Sequence, residues 1–149
     1  MSIQVKVTRP KRGLSGPYRF KTIAAAWGAE VTPLVESALK AKAPVAKENG
    51  GRLRDSIRHK QVNAPGLTVT FYTEVPYARY VLDGTRPHEI RPRTARALHW
   101  KDAGGDVFAQ VVNHPGTKAN RFPERAIKPL LPVIQQQFRR ISIEALGGQ

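Results

Sequence analysis

Four histidines, His59, His88, His99 and His114, are the side chains in this chain best suited to bind a metal or move a proton. No two of them stand four residues apart, the spacing by which zinc enzymes place two ligands on one helix face. The chain has no cysteine, which removes thiolate metal sites, cysteine nucleophiles and disulfides together. Asp83, Glu89, Asp102, Asp106 and Glu124 are the carboxylates a magnesium-dependent nuclease would have to gather, and their spacing does not gather them. No phosphate-cradling glycine loop and no serine in a nucleophile elbow is present; Gly104-Gly105 lacks the lysine and the helix that such a loop needs. These residue types in this pattern imply no enzyme, no cofactor and no bound metal. A small metal-dependent nuclease is the least favoured of the readings left open.

What does stand out is a pair of glycine-threonine corners. The first lies within residues 75–88, with Tyr77, Tyr80, Gly84, Thr85, Arg86, Pro87 and His88. The second is His114-Pro115-Gly116-Thr117-Lys118, followed by Arg121 and Phe122. Glycine reaches positive φ without strain, and threonine can hydrogen-bond its own turn, so each corner reads as a sharp change of chain direction. Between them, residues 84–96 are rich in proline and arginine and predict an extended basic loop that leaves the fold. Arg86, Pro87, His88, Arg91, Arg93 and Arg96 are its candidate contacts with another subunit or partner.

The chain has 149 residues, the size of one domain, with 25 Lys and Arg against 11 Asp and Glu. The formal net charge of +14 favours a polyanionic neighbour: nucleic acid, an acidic protein surface or a membrane face. Lys11, Arg12, Arg19, Lys118 and Arg121 are the candidate contacts with DNA or an acidic partner. A free nucleic-acid-binding protein is therefore the main alternative reading; Phe71, Tyr72, Tyr77, Tyr80 and Trp100 could stack bases, although aromatics placed on alternating strands and a helix face are more often core. The start of the chain has no secretory layout, and no apolar stretch approaches the ~20 residues that span a bilayer.

Hydrophobic periodicity supplies the elements that would hold these corners. Residues 2–8 alternate as a half-buried strand. Residues 9–19 are basic with two prolines and two glycines, which predicts a loop or arm. The apolar residues Phe20, Ile23, Ala24, Trp27, Val31, Leu34, Val35, Ala38 and Leu39 recur at three- and four-residue steps, with a kink or a break into two helices expected at Pro33 and Thr32 as a cap. A helical turn at 53–57 and a hairpin of 58–62 with 67–73 follow, then a short helix from Tyr77 closing near Gly84. Strands at 97–100 and 107–113 flank a turn at 102–106, and a helix at 123–146 is bent by Pro129 and Pro132. The last residues, 147–149, should fray. The sum is a single α+β domain: a mostly antiparallel sheet of about four to five strands packed against an N-terminal and a C-terminal helix, with an extended basic arm.

Four stretches in order give the chain a resemblance. They are Ala43-Pro44-Val45-Ala46 with Gly51-Arg52-Leu53-Arg54-Asp55-Ser56-Ile57; Pro76-Tyr77-Ala78-Arg79-Tyr80-Val81-Leu82-Asp83-Gly84-Thr85; Arg91-Pro92-Arg93 with Ala97-Leu98-His99-Trp100; and 114–122. Together they resemble the tail-completion or head–tail joining family of long-tailed bacteriophages, a minor tail component or neck protein. Arg121 stands where that family usually has proline, and Pro123 where leucine is common. The resemblance implies a structural virion protein and no enzyme. It implies self-assembly into a ring, commonly six-fold, that meets a connector, adaptor or head-completion protein on one side and a tail terminator or tail-tube protein on the other. Genome DNA would pass through its lumen in the virion neck, after synthesis in the host cytoplasm.

Overall fold

The computed structural model describes residues 2–7, 17–46, 50–63 and 67–145. In chain order the elements are β1 (Ser2–Val7), α1 (Pro17–Lys42), α2 (Arg52–Asp55), β2 (Arg58–Asn63), β3 (Leu67–Tyr72), α3 (Ala78–Asp83), β4 (His88–Ile90), β5 (Leu98–Asp102), β6 (Gly105–Ala109), β7 (Val112–His114), α4 (Phe122–Ile127), a 3-10 turn (Lys128–Leu130) and α5 (Leu131–Ala145). The α+β class expected from the sequence holds. The strands do not join one sheet of four or five, however. They form three small antiparallel sheets, ordered β1-β3-β2, β4-β7 and β5-β6. The chain divides into two compact units, residues 1–78 with 121–149, and residues 79–120.

The first unit is built on α1. Ile23, Trp27, Val31, Val35 and Leu39 are its buried stripe, each four residues after the last. A step of four advances about 40° around the helix, so the stripe winds as it climbs and meets several partners in turn. Trp27 is fully buried; its ring meets Phe138 of α5 edge-on at 6.4 Å, and its Nε1–H donates to the Ile134 carbonyl at 3.4 Å. Indole nitrogens buried this deeply need such an acceptor. Val69 and Phe71 of β3 add the sheet's share of the core, with Phe122, Ala126, Ile134 and Ile141 from the C-terminal helices.

Two expectations about α1 are corrected. The helix runs unbroken through Pro33, and Thr32 is a buried helical residue, not a cap. Proline removes only its own donor, which frees the carbonyl of Ala29. Both Ala29 and Pro33 are exposed, so water can serve that carbonyl and the helix continues. The helix also begins earlier than expected, at Pro17, so residues 17–19 of the supposed basic arm are helical. Proline suits the first helical position, where its N–H would be unused. Residues 9–16 of that arm, residue 8 of the expected strand, and the tail 147–149 lie outside the described residues.

β3 is the central strand of the three-stranded sheet, paired with β1 through Val5↔Val69 and with β2 through Gln61↔Val69. A hydroxyl pair, Ser56 Oγ with Thr73 Oγ1 at 2.6 Å, ties the end of α2 to the end of this strand. Glu36 of α1 holds both Lys40, at 2.5 Å, and His59 of β2, at 2.6 Å. The Lys40 ammonium, hydrogen-bonded to it, holds the Glu36 carboxyl below its ordinary value; partial burial opposes this and His59 adds to the pull. At the C-terminal end, Pro129 and Pro132 divide the expected single helix into α4, the 3-10 turn and α5, the bending their rings dictate.

Phe122 is 2% exposed at the start of α4, so Phe122→Ala should cost about 3–5 kcal/mol in urea unfolding; a loss under ~1 kcal/mol contradicts its place in the core. Glu36→Gln tests the helix–sheet tie through pH. A carboxyl with a lowered folded pKa stabilises above its ordinary titration range, and that contribution fades as pH falls through the folded value. The wild type should therefore exceed the variant by roughly 0.2–1 kcal/mol at pH 7, and the gap should be smaller at pH 3. An equal gap at both pH values contradicts the tie.

Candidate functional site

The two corners meet. Thr85 N–H donates to the Thr117 carbonyl at 3.0 Å, and Thr117 N–H returns to the Thr85 carbonyl at 3.1 Å. Thr117 N–H also lies 3.0 Å from Thr85 Oγ1, and the two hydroxyls are 3.1 Å apart. Asn120 N–H then donates to the Val81 carbonyl at 2.9 Å, tying the second corner to the end of α3.

Both glycines are required by this approach. Gly84 has φ 73°, and a Cβ on it would lie 2.3 Å from the Thr117 carbonyl oxygen. Gly116 has φ 84°, and its Cβ would lie 2.3 Å from the Thr85 carbonyl oxygen. The clasp is thus reciprocal: each glycine makes room for the other corner's threonine.

Beyond the clasp, β4 and β7 pair antiparallel as His88↔His114, Glu89↔Asn113 and Ile90↔Val112. The bridge Thr85↔Thr117 continues the same register. In that register Pro87 falls opposite Pro115, and neither has an N–H to give, so the ladder skips there and resumes at the threonines. The loop expected at 84–96 is therefore not an arm that simply leaves the fold. Its residues 88–90 are a strand, held by the strand that returns to the second corner. The strand expected at 107–113 likewise splits: β6 ends at Ala109 and β7 begins at Val112 with a different partner. Residues 85–117 are one arm, closed at its base by the clasp.

His88 and His114 sit side by side, with ring centroids 5.1 Å apart. Gly116 N–H donates to His114 Nδ1 at 3.0 Å, which places the proton of a neutral ring on Nε2. His88 Nδ1 lies 2.9 Å from the Arg86 carbonyl, an acceptor only, so Nδ1 carries the proton there. The opposite tautomers make the pair a turn device, with only one Nε2 lone pair free for a metal. Elsewhere, Glu89 pairs with Arg91, Asp106 with His99, Glu124 with Arg121, and Asp102 accepts from Gly104 N–H. Among the described residues no three of the acidic or histidine side chains are grouped as metal ligands.

The outer part of the arm is the hairpin β5–β6, turned at Ala103-Gly104, in the register Leu98↔Ala109, His99↔Phe108, Trp100↔Val107 and Lys101↔Asp106. His99 stacks on Phe108 at 4.6 Å. Phe108 is 68% exposed and Trp100 39%, and the register puts them on opposite faces of the ribbon. Sequence reasoning took residues 107–113 as one strand and passed over Phe108. The signal was the two-residue turn before Gly105, which fixes which residues face each other.

The other expected site residues fall as follows. Tyr77 and Tyr80 are exposed at and within α3, with the Arg79 guanidinium 4.5 Å above the Tyr80 ring. Arg86, Arg91, Arg93 and Arg96 are exposed along the arm, and Lys118 is exposed just after the clasp. Phe71, a candidate for base stacking, is 1% exposed and is a core residue. Lys11 and Arg12 lie outside the described residues, and Arg19 is in the first turn of α1.

The clasp has a sharp internal control. Gly84→Ala and Gly116→Ala should each destabilise the 85–117 segment by at least ~1–2 kcal/mol, from the positive φ alone. Gly104→Ala, where the nearest atom to a new Cβ is 3.3 Å away, should stay within ~0.5 kcal/mol. Limited proteolysis between residues 91 and 96 reads the difference; equal cutting of all three variants contradicts the clasp.

Residues 14–84 match the family described as HK97-gp10_like, "Bacteriophage HK97-gp10, putative tail-component". The match covers just under half of the chain and ends at the first corner, so the arm lies beyond it. Neither the curated proteins nor the solved structures yield a match. Over α1, α2, β2, β3 and α3, the chain is similar to the HK97-gp10-like tail components of bacteriophages.

Proposed function

We propose that the chain is a ring-forming tail-completion or neck protein, seated at the head–tail interface of a long-tailed phage particle. The observation that carries the reading is the tail-component match at residues 14–84, continued by the motif order through residue 122. The ring, six-fold by resemblance, would be a homo-oligomer. Its neighbours would be a connector, adaptor or head-completion protein above and a tail terminator or tail-tube protein below, with genome DNA passing through the lumen. The net charge of +14 supports this placement. A polyanion that must slide through is best met by charge without base-reading groups, because phosphate contacts hold without specifying sequence. Arg121 and Lys118, and Lys11, Arg12 and Arg19 near the N-terminus, are the proposed lumen or acidic-partner contacts. The clasped arm, with Arg86, Pro87, His88, Arg91, Arg93 and Arg96, is the proposed contact with neighbouring subunits or rings.

The same charge is the one feature that favours a free nucleic-acid-binding protein instead. The two readings separate by experiment. Immunogold or cryo-electron microscopy of the intact phage should place the chain at the head-proximal end of the tail, and its absence from neck and tail refutes the proposal. Filter binding to duplex DNA should be weak and fall steeply with salt. Tight binding that persists at physiological salt favours the free DNA binder.

A further inference from the structure

The unpaired charge on the arm has one sign. Glu89 is held by Arg91, Asp106 by His99, and Asp102 accepts from Gly104 N–H. Arg86, Arg93, Arg96 and Lys101 are exposed and make no ion pair among the described residues. Another copy of the chain offers such cations little. Glu30, Glu36, Asp55, Glu124 and Glu144 are each held by a cation of their own chain. Among the described acidic residues only Glu74, Asp83 and Asp102 make no ion pair. With a net charge of +14, a second copy would meet the arm with repulsion.

The hairpin also carries an apolar face. Directly paired residues share a face and every second pair returns to it, so Leu98 with Ala109 and Trp100 with Val107 lie together on one side. None of the four is buried, and Trp100 is 39% exposed. Among the described residues β5 and β6 pair only with each other. A two-stranded ribbon is marginal in water, so covering this face would stabilise the arm itself.

We propose that the arm docks on an acidic surface of a different protein of the phage particle, through the face made by Leu98, Trp100, Val107 and Ala109. Arg93 and Arg96, in the stretch that leads into β5, supply the matching charge. The partner's seat combines apolar side chains for Trp100 with carboxylates for the two arginines. Tryptophan and arginine are the side chains that most often carry the binding energy of a protein contact, and arginine pairs with carboxylates in two-point geometry. DNA matches the charge alone: its phosphates would satisfy the arginines and leave the apolar face in water. Such a seat presupposes the particle placement proposed above, and it makes the arm's neighbour a chain of different sequence, not another subunit.

The test is photo-crosslinking in whole particles, in which a phage lacking its own copy is supplied with the full chain. p-Benzoylphenylalanine in place of Trp100, and separately in place of Val107, should link the chain to a different virion protein at a stretch rich in Asp and Glu. R93E/R96E should lower the yield of that crosslink at least about tenfold, with unchanged circular dichroism of the purified chain, whereas R93K/R96K, which keeps the charge, should retain most of it. The proposal is overturned if the crosslinks join two copies of this chain, run to DNA or fall outside an acidic stretch. It is overturned equally if neither position gives a crosslink, or if R93E/R96E links as well as wild type. A chain that is present in the neck and links only to itself overturns the arm's partner and leaves the ring standing. Absence of the chain from neck and tail refutes the particle placement, and the arm's partner with it.

Discussion

The residues from 79 to 120 depend on one short-range constraint, the double hydrogen bond between Thr85 and Thr117. Without it, a strand pair of three residues and a two-stranded ribbon would have to hold 42 residues of chain with no buried side chain among them. The clasp works because two glycines stand where any Cβ would strike the opposing backbone. It converts a long excursion, which would carry a large closure entropy, into a loop whose ends are already fixed. The prolines at 87 and 115 add to this, since they face each other where the ladder must lapse and stiffen both strands at the same level. What the clasp closes is a segment whose outer hairpin carries exposed aromatic groups on both faces.

The unit formed by residues 1–78 and 121–149 rests on a different principle. Its stability comes from ordinary burial around α1, with Trp27 at the centre and the C-terminal helices and β3 packed on successive parts of one winding stripe. Burying side chains of this size contributes roughly 1.5–3 kcal/mol each, which is ample to hold a small sheet on a long helix. Most of the family match falls on this unit.

The scaffold was largely legible in the sequence because its signals are local and periodic. The helical apolar pattern of α1, the β2–β3 hairpin and the bend at Pro129 and Pro132 follow from spacing, while burial narrows the α1 pattern to its four-residue stripe. The break into two helices at Pro33 did not follow because the cost of a helical proline depends on whether water reaches the freed carbonyl, and that is a matter of exposure. The single sheet was wrong for a related reason: alternation identifies strands but not their partners, and β4, β5, β6 and β7 chose partners by turns and corners. The corners themselves drew notice as separate hinges. Their relation was written in the near-mirror order of Gly84-Thr85 with Pro87-His88 against His114-Pro115 with Gly116-Thr117, which is what an antiparallel pairing of like residues looks like in a single chain. Phe108 was invisible because an aromatic in an alternating strand reads as core until a register shows that nothing covers it.

The central claim is that two glycine-threonine corners close one arm. Hydrogen exchange at the Thr85 and Thr117 amides tests it most directly, since each donates to the other residue. Both amides should exchange at least about tenfold more slowly than an unstructured chain, and together, because they share one opening event. Exchange of either amide at the unstructured rate, or protection of one without the other, would contradict the account.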